Sequence, residues 1–278
     1  MIIMRLSLRE AISRRVLAAS TVFSVGFVGL FWLAYSLAFS SVAESTSDPS
    51  ESAVVAGILT IMGLYTVQFL ASFLTILLAS GTVASEIDSG RILSIMARPL
   101  PRWSWLAQRA GTFGGMAMVY VLLMTGAVLL VAAGIGGYQP LNPLRGMALL
   151  ALQVAVLVAL GAGLSTRFST VATGVIVVAL YGLAWLGGIV EFVAGALGNQ
   201  TLERVGIVVS LLIPSDALWR GASYYFQNPV LLMAAEMDDV GLPFASSVPP
   251  SGPQVAWAVV YVLICGTLAV RSLNKRDL

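Results

Sequence analysis

The chain has 278 residues, of which 58% are apolar and 10% are charged, and its net charge is +2. An average globular domain carries about 25% charged residues, so too few charges remain to cover a water-soluble surface, and a soluble enzyme is excluded. The absence of histidine excludes histidine-based metal sites and Ser-His-Asp triads. The only lysine, Lys275, follows Asn274 rather than glycine, which excludes a P-loop, so any ATP hydrolysis belongs to another chain.

The N-terminal residues 1–15 predict an interfacial elbow helix, because apolar residues recur at helical spacing on one face and Arg5 and Arg9 lie on another. The alternative is a basic tail without fixed structure. Six uncharged runs follow, each long enough to cross a hydrocarbon core. The second is well beyond that length, so it must tilt or project past the membrane. The six runs are residues 16–42, 53–85, 110–137, 146–166, 168–190 and 254–270. We therefore predict an all-α integral membrane protein, with residues 1–278 forming one transmembrane domain of six helices.

The basic residues set the predicted orientation. With the N-terminus inside, twelve of the 15 basic residues lie on inside segments and three on outside segments, as the positive-inside rule requires. Both termini are then cytoplasmic. Residues 191–253 form an acidic external segment that is too long for a plain loop, so we expect short helices there that dip into the interface or cap the bundle.

The largest charged segment on the inside is residues 86–109. Asp88 can cap the start of a short helix, and Pro99 and Pro101 end it. The apolar surface of that helix comes from Ile92, Leu93, Ile95 and Met96. A short helix with exposed apolar residues, held between two spans, favours a docking element. The alternative is an ordinary basic loop.

The same segment resembles a motif of the type-2 ABC exporter permeases. The pattern is a glutamate, a glycine four residues on, an aliphatic helix, a proline and two basic residues, and it is matched here by Glu86, Gly90, Leu93, Pro99, Arg102 and Arg109. The six-span members with a long last external segment, such as the permease group of nitrous oxide reductase maturation, look most similar. Two positions depart from the motif: Arg91 stands where the family usually has threonine, and Gln108-Arg109 where it usually has Gly-Lys.

The resemblance implies a permease of a prokaryotic cytoplasmic membrane, surrounded by membrane lipid and without a nucleic-acid partner. Two cytoplasmic ABC ATPase subunits would hold ATP and Mg, while this chain carries no catalytic residue, metal or cofactor. The residues implied in coupling to the ATPase are Glu86, Asp88, Gly90, Ile92, Leu93, Met96, Pro99, Arg102 and Arg109. Pro214 and Asp216 also lie in a stretch similar to a Pro-x-Asp segment that follows the fifth span in these permeases.

A second copy of the chain, or a similar permease, is expected to meet it through the first and fifth spans. Small residues that allow close helix approach there are Gly26, Gly29, Gly182, Gly187 and Gly188. Glu86 and Arg109 are candidates for an ion pair at the membrane edge. The alternative is that the two side chains are independently solvated or snorkel. The alternative function is a stand-alone secondary transporter or channel, and it is disfavoured because no span carries a charge at its centre. A membrane enzyme and a scaffold are the remaining alternatives.

Overall fold

The computed structural model describes residues 15–45, 48–88, 101–237 and 244–275. These residues form ten α-helices and no strand. In chain order the helices are α1 Arg15–Ser45, α2 Pro49–Ser80, α3 Ala84–Asp88, α4 Arg102–Gly136, α5 Pro143–Ser165, α6 Thr170–Ala196, α7 Gln200–Leu212, α8 Ser215–Phe226, α9 Pro229–Met237 and α10 Gly252–Asn274. The predicted elbow helix lies almost wholly outside the described residues.

Six of the described helices are long and apolar enough to cross a membrane, namely α1, α2, α4, α5, α6 and α10. The predicted all-α membrane protein with six transmembrane helices is therefore confirmed, and the chain is a multi-pass membrane protein. The predicted short helices before the last span are also present, as α7, α8 and α9.

The helix ends follow local chemistry rather than the limits of the uncharged runs. The side chain of Asp48 accepts a hydrogen bond from the Ser50 amide at 2.9 Å, so α2 begins at Pro49 instead of residue 53. The helix α4 begins at Arg102, eight residues before the predicted start at 110, and ends where Gly137 adopts a left-handed φ of 60°. The predicted loop 86–109 is thus too long, because residues 102–109 are helical.

The core lies where α2, α4 and α5 pack together, and α8 packs against the same core. The outer helices α1 and α10 are the least buried of the six spans. At α1, large apolar side chains such as Val22, Phe23 and Leu30 are exposed, as expected of helices that face lipid or another membrane protein.

Two of the helices before the last span form a bent pair. The helix α7 runs back along α6, so that Gly206 faces Glu191 and Gly187 faces Val209. The chain then bends by 102° into α8, which packs against α5. Pro214 lies at the break and leaves no backbone N–H to continue the helix. The helix α8, from the segment predicted to dip into the interface or cap the bundle, therefore packs against the core of the spans.

Candidate functional site

A buried ion pair joins the start of α4 to the end of the α2–α3 region. Arg109 Nη1 donates to Glu86 Oε1 at 2.7 Å, and the two side chains are only 5% and 3% exposed. Arg109 Nε also donates to the Thr82 carbonyl at 2.9 Å. The guanidinium lies 5.7 Å from the Trp105 ring and 5.5 Å from the Phe113 ring. The predicted pair is confirmed, and it is enclosed by protein rather than solvated at a membrane edge.

This pair joins the two described helices that flank residues 89–100. Glu86 lies on α3, which ends at Asp88 just before that segment, and Arg109 lies on α4, which begins just after it. An ion pair out of water is strongly orienting, since losing either partner leaves a buried charge. The two helices that flank the segment are therefore held at a defined separation.

A second contact ties the same region to the last span. Arg102 Nη1 donates to the Leu273 carbonyl at 2.9 Å and to the Asn274 carbonyl at 3.3 Å. These are C-terminal carbonyls of α10, and a cation satisfies them and complements the helix dipole. Apolar packing supports the contact, in a cluster of Val83, Trp105, Leu106, Ala269 and Leu273.

The predicted ATPase-coupling residues divide into two groups. Glu86, Arg102 and Arg109 come together in the anchoring contacts described above, and Asp88 is the last residue of α3. The others, Gly90, Ile92, Leu93, Met96 and Pro99, lie outside the described residues.

The glycines predicted at a dimer contact fall into two groups. A side chain at Gly26, Gly29 or Gly182 would meet nothing within 4 Å, so these positions are open on the surface of the chain. A Cβ at Gly187 would lie 2.5 Å from Val209, and one at Gly188 would collide with the Asp216 carboxylate. Gly187 and Gly188 therefore do not face a second permease. They admit α7 and α8 of their own chain, which the glycine spacing alone does not reveal.

Sequence reasoning missed a second charged cluster at the bent helix pair. Arg220 on α8 contacts the Glu191 carboxylate on α6 at 2.5 Å and the Asp216 carboxylate at 3.1 Å. Asp216 is 7% exposed and both partners are largely covered. The available signal was the four-residue spacing of Asp216 and Arg220, which places them on one helical face.

The cluster lies within the bundle. The carboxylate of Asp216 lies against Gly188 of α6. One turn along α8, the Trp219 ring lies 5.5 Å from the ring of Tyr65, near the middle of α2. The backbone at the break is held from the last span, since Trp257 Nε1 on α10 donates to the Leu211 carbonyl at 2.9 Å. Charged groups inside a membrane bundle are expensive and commonly mark a functional path.

A polar network links three of the spans, α2, α5 and α6. Gln68 Nε2 on α2 donates to the Tyr181 hydroxyl on α6 at 2.9 Å. Gln153 Nε2 on α5 donates to Ser72 Oγ on α2 at 3.1 Å. Both glutamines are at most 4% exposed. These bonds fix the register of three apolar helices that otherwise have little to distinguish one packing from another.

Comparison with known proteins gives one family. A family model with the description "Protein of unknown function (DUF2705)" matches residues 21–278. No curated protein matches the chain. The match begins within α1, at residue 21, and includes both charged clusters and the other five candidate spans in full.

Proposed function

The chain belongs to the DUF2705 family, and we propose that it is the transmembrane subunit of an ATP-driven exporter of the type-2 ABC class. The observation that carries the proposal is the buried Glu86–Arg109 pair. Together with the contact from Arg102 to the end of α10, it anchors both sides of residues 89–100 to the transmembrane helices.

A segment that only connects two spans has no need of such anchorage. A segment that receives force does, because a loosely held docking element would move without moving the helices. Glu86 and Arg109 hold α3 against α4, and Arg102 joins α4 to α10. A displacement of the segment would therefore reach three of the helices together.

In the proposed mechanism, two cytoplasmic ATPase subunits bind the apolar side chains of Ile92, Leu93 and Met96. Those subunits hold ATP and Mg, and their closure on ATP tilts the segment. The tilt changes access to a path between two permeases. The open positions Gly26 and Gly29 on α1 and Gly182 on α6 support close approach of a second copy or a similar permease.

Alanine at both Ile92 and Met96 is expected to weaken binding of the partner ATPase at least about tenfold. Each buried apolar side chain contributes roughly 1.5–3 kcal/mol, and about 1.4 kcal/mol is one decade in affinity. The measurement is a pull-down of a soluble P-loop ATPase by the purified permease, with ATP-dependent transport in liposomes. Leu123→Ala is the matched control, because Leu123 is 69% exposed on α4.

Full ATPase binding and full transport by the double variant would contradict the assignment of this segment. The stoichiometry of the purified complex gives a separate test. A mass that corresponds to one permease and two ATPases would overturn the proposed pairing of permeases.

The proposed topology assigns each membrane-flanking segment to one side of the membrane. Single cysteines at positions 48, 98 and 238, in a Cys265→Ser background, are expected to divide into two classes. Asp48→Cys and Asp238→Cys should react with an impermeant maleimide added to sealed cells, and Arg98→Cys only after lysis. The reason is the twelve-to-three distribution of basic residues. Labelling of Arg98→Cys in sealed cells would reverse the orientation.

One observation supports the alternative function, a stand-alone transporter or channel. Its main difficulty was the lack of charge inside the spans, and the structure places Asp216, Glu191 and Arg220 together inside the bundle. Transport by the purified chain in liposomes that contain no ATPase would favour this alternative. Transport only with the ATPase and ATP would favour the exporter.

A further inference from the structure

A basic cavity of about 270 Å³ lies where the ends of α5 and α10 meet. The described residues that line it are Thr166, Arg167, Ser272 and Lys275. Thr166 Oγ1 donates to Ser272 Oγ at 2.8 Å, and Arg167 Nε donates to the same oxygen at 3.1 Å. Two cations and two hydroxyls from separate helices therefore converge on one small space.

The chemistry of this cavity suits a phosphate group. A guanidinium presents five N–H donors in a planar fork that matches phosphate oxygens. Arg167 uses Nε to contact Ser272, and that contact orients the fork. Lys275 adds a second positive charge to the lining. Basic pockets between transmembrane helices are known to accept anionic headgroups.

A second cavity of about 260 Å³ adjoins the first and has the opposite character. It runs between α5 and α10, and its apolar lining includes Leu160, Gly163, Leu164 and Leu268. Arg167 and Ser272 line both cavities. The two spaces therefore form one groove that is apolar along the spans and cationic at its end.

We propose that this groove binds one anionic phospholipid. The phosphate lies against Arg167 and Lys275, and an acyl chain follows the apolar part past Leu164 and Leu268. The groove is apolar along the spans and cationic at its end, and this combination favours an anionic phospholipid. A free phosphate would use only the basic end, and a neutral apolar molecule would use only the other. Binding of the lipid does not depend on the exporter function.

One competing explanation is structural. Arg167 and Lys275 follow the C-termini of α5 and α10, where cations complement the helix dipole without any ligand. The two explanations differ in what the groove retains. A dipole role predicts no difference in lipid binding between the wild type and a variant without the cations.

The test is native mass spectrometry of the purified full chain with added phosphatidylglycerol, and with phosphatidylcholine of the same chain length. The wild type should retain one phosphatidylglycerol in preference to phosphatidylcholine. The Arg167→Gln, Lys275→Gln double variant should bind it roughly thirtyfold more weakly, because each cation contributes about fivefold. Arg145→Gln is the matched control, because Arg145 is an exposed cationic residue at the other end of α5.

A second variant tests the apolar half and guards against a folding defect. Leu268 is 55% exposed, so Leu268→Trp should fill the groove without disturbing the core and should also reduce phosphatidylglycerol binding. Leu130→Trp is its control, on an exposed position of α4. Unchanged phosphatidylglycerol binding in either groove variant, or equal retention of phosphatidylcholine by the wild type, would overturn the proposal. Displacement of the lipid by an equal concentration of inorganic phosphate would overturn it too, because the apolar half would then contribute nothing.

Discussion

Replacing Arg109 with methionine is expected to lower the free energy of unfolding by about 3–5 kcal/mol, because the change removes the arginine that is paired with a buried carboxylate. The Glu86 side chain is 3% exposed, so water cannot replace the lost guanidinium. The loss should appear as a lower midpoint of unfolding in detergent, measured by tryptophan fluorescence. Most proteins have only about 5–15 kcal/mol of stability, so poor expression of this variant is an expected companion result.

The double variant Glu86→Gln, Arg109→Met separates the pair from its surroundings. Removing both charges should recover much of the stability, since neither partner is then left buried alone. Arg145→Met is the control, because this arginine is exposed and its loss should change the midpoint little. A single Arg109→Met variant as stable as the wild type would mean that the two side chains are not enclosed together.

Replacing Arg220 with methionine is expected to produce a loss of similar size, about 3–5 kcal/mol. Arg220 stands between the Asp216 and Glu191 carboxylates, so its removal leaves two like charges that repel each other in a poorly solvated site. Glu191→Gln should be milder, because Asp216 keeps its arginine and the Glu191 side chain is 27% exposed. The measurement is again the unfolding midpoint of the purified chain.

The order of the variants distinguishes a charge effect from a packing effect. If charge decides stability, the Asp216→Asn, Arg220→Met double variant should be more stable than Arg220→Met alone. If the methionine simply fits poorly, the second change should add to the loss. The latter result would show that packing rather than charge decides the stability of this cluster.

The six spans could be predicted because apolar length is a property of the sequence alone. The start of α4 could not be predicted in the same way, since Arg109 ended the uncharged run. Its charge is compatible with a buried helix only because Glu86, 23 positions earlier, meets it. Counting charges along the sequence cannot reveal a partner that is distant in the chain.

The bent pair shows the same limit at the other charged cluster. The acidic residues of 191–253 favoured an external segment, yet Asp216 is buried because Arg220, four residues later on the same helix, compensates its charge. The roles of Gly187 and Gly188 were likewise hidden. Spacing identifies a small-residue face on α6, but only the packing shows that the chain's own α7 and α8 occupy it.

The helix α10 is attached near both of its ends to different parts of the molecule. Arg102 holds its last carbonyls, and its Trp257 holds the backbone at the break before α8. The two attachment points are about 24 Å apart along a helix that rises about 1.5 Å per residue. Because a helix resists compression along its axis, a shift of the start of α4 moves Leu211 as well or breaks one of these bonds. The last span, α10, thus mechanically couples the regions of the two charged clusters.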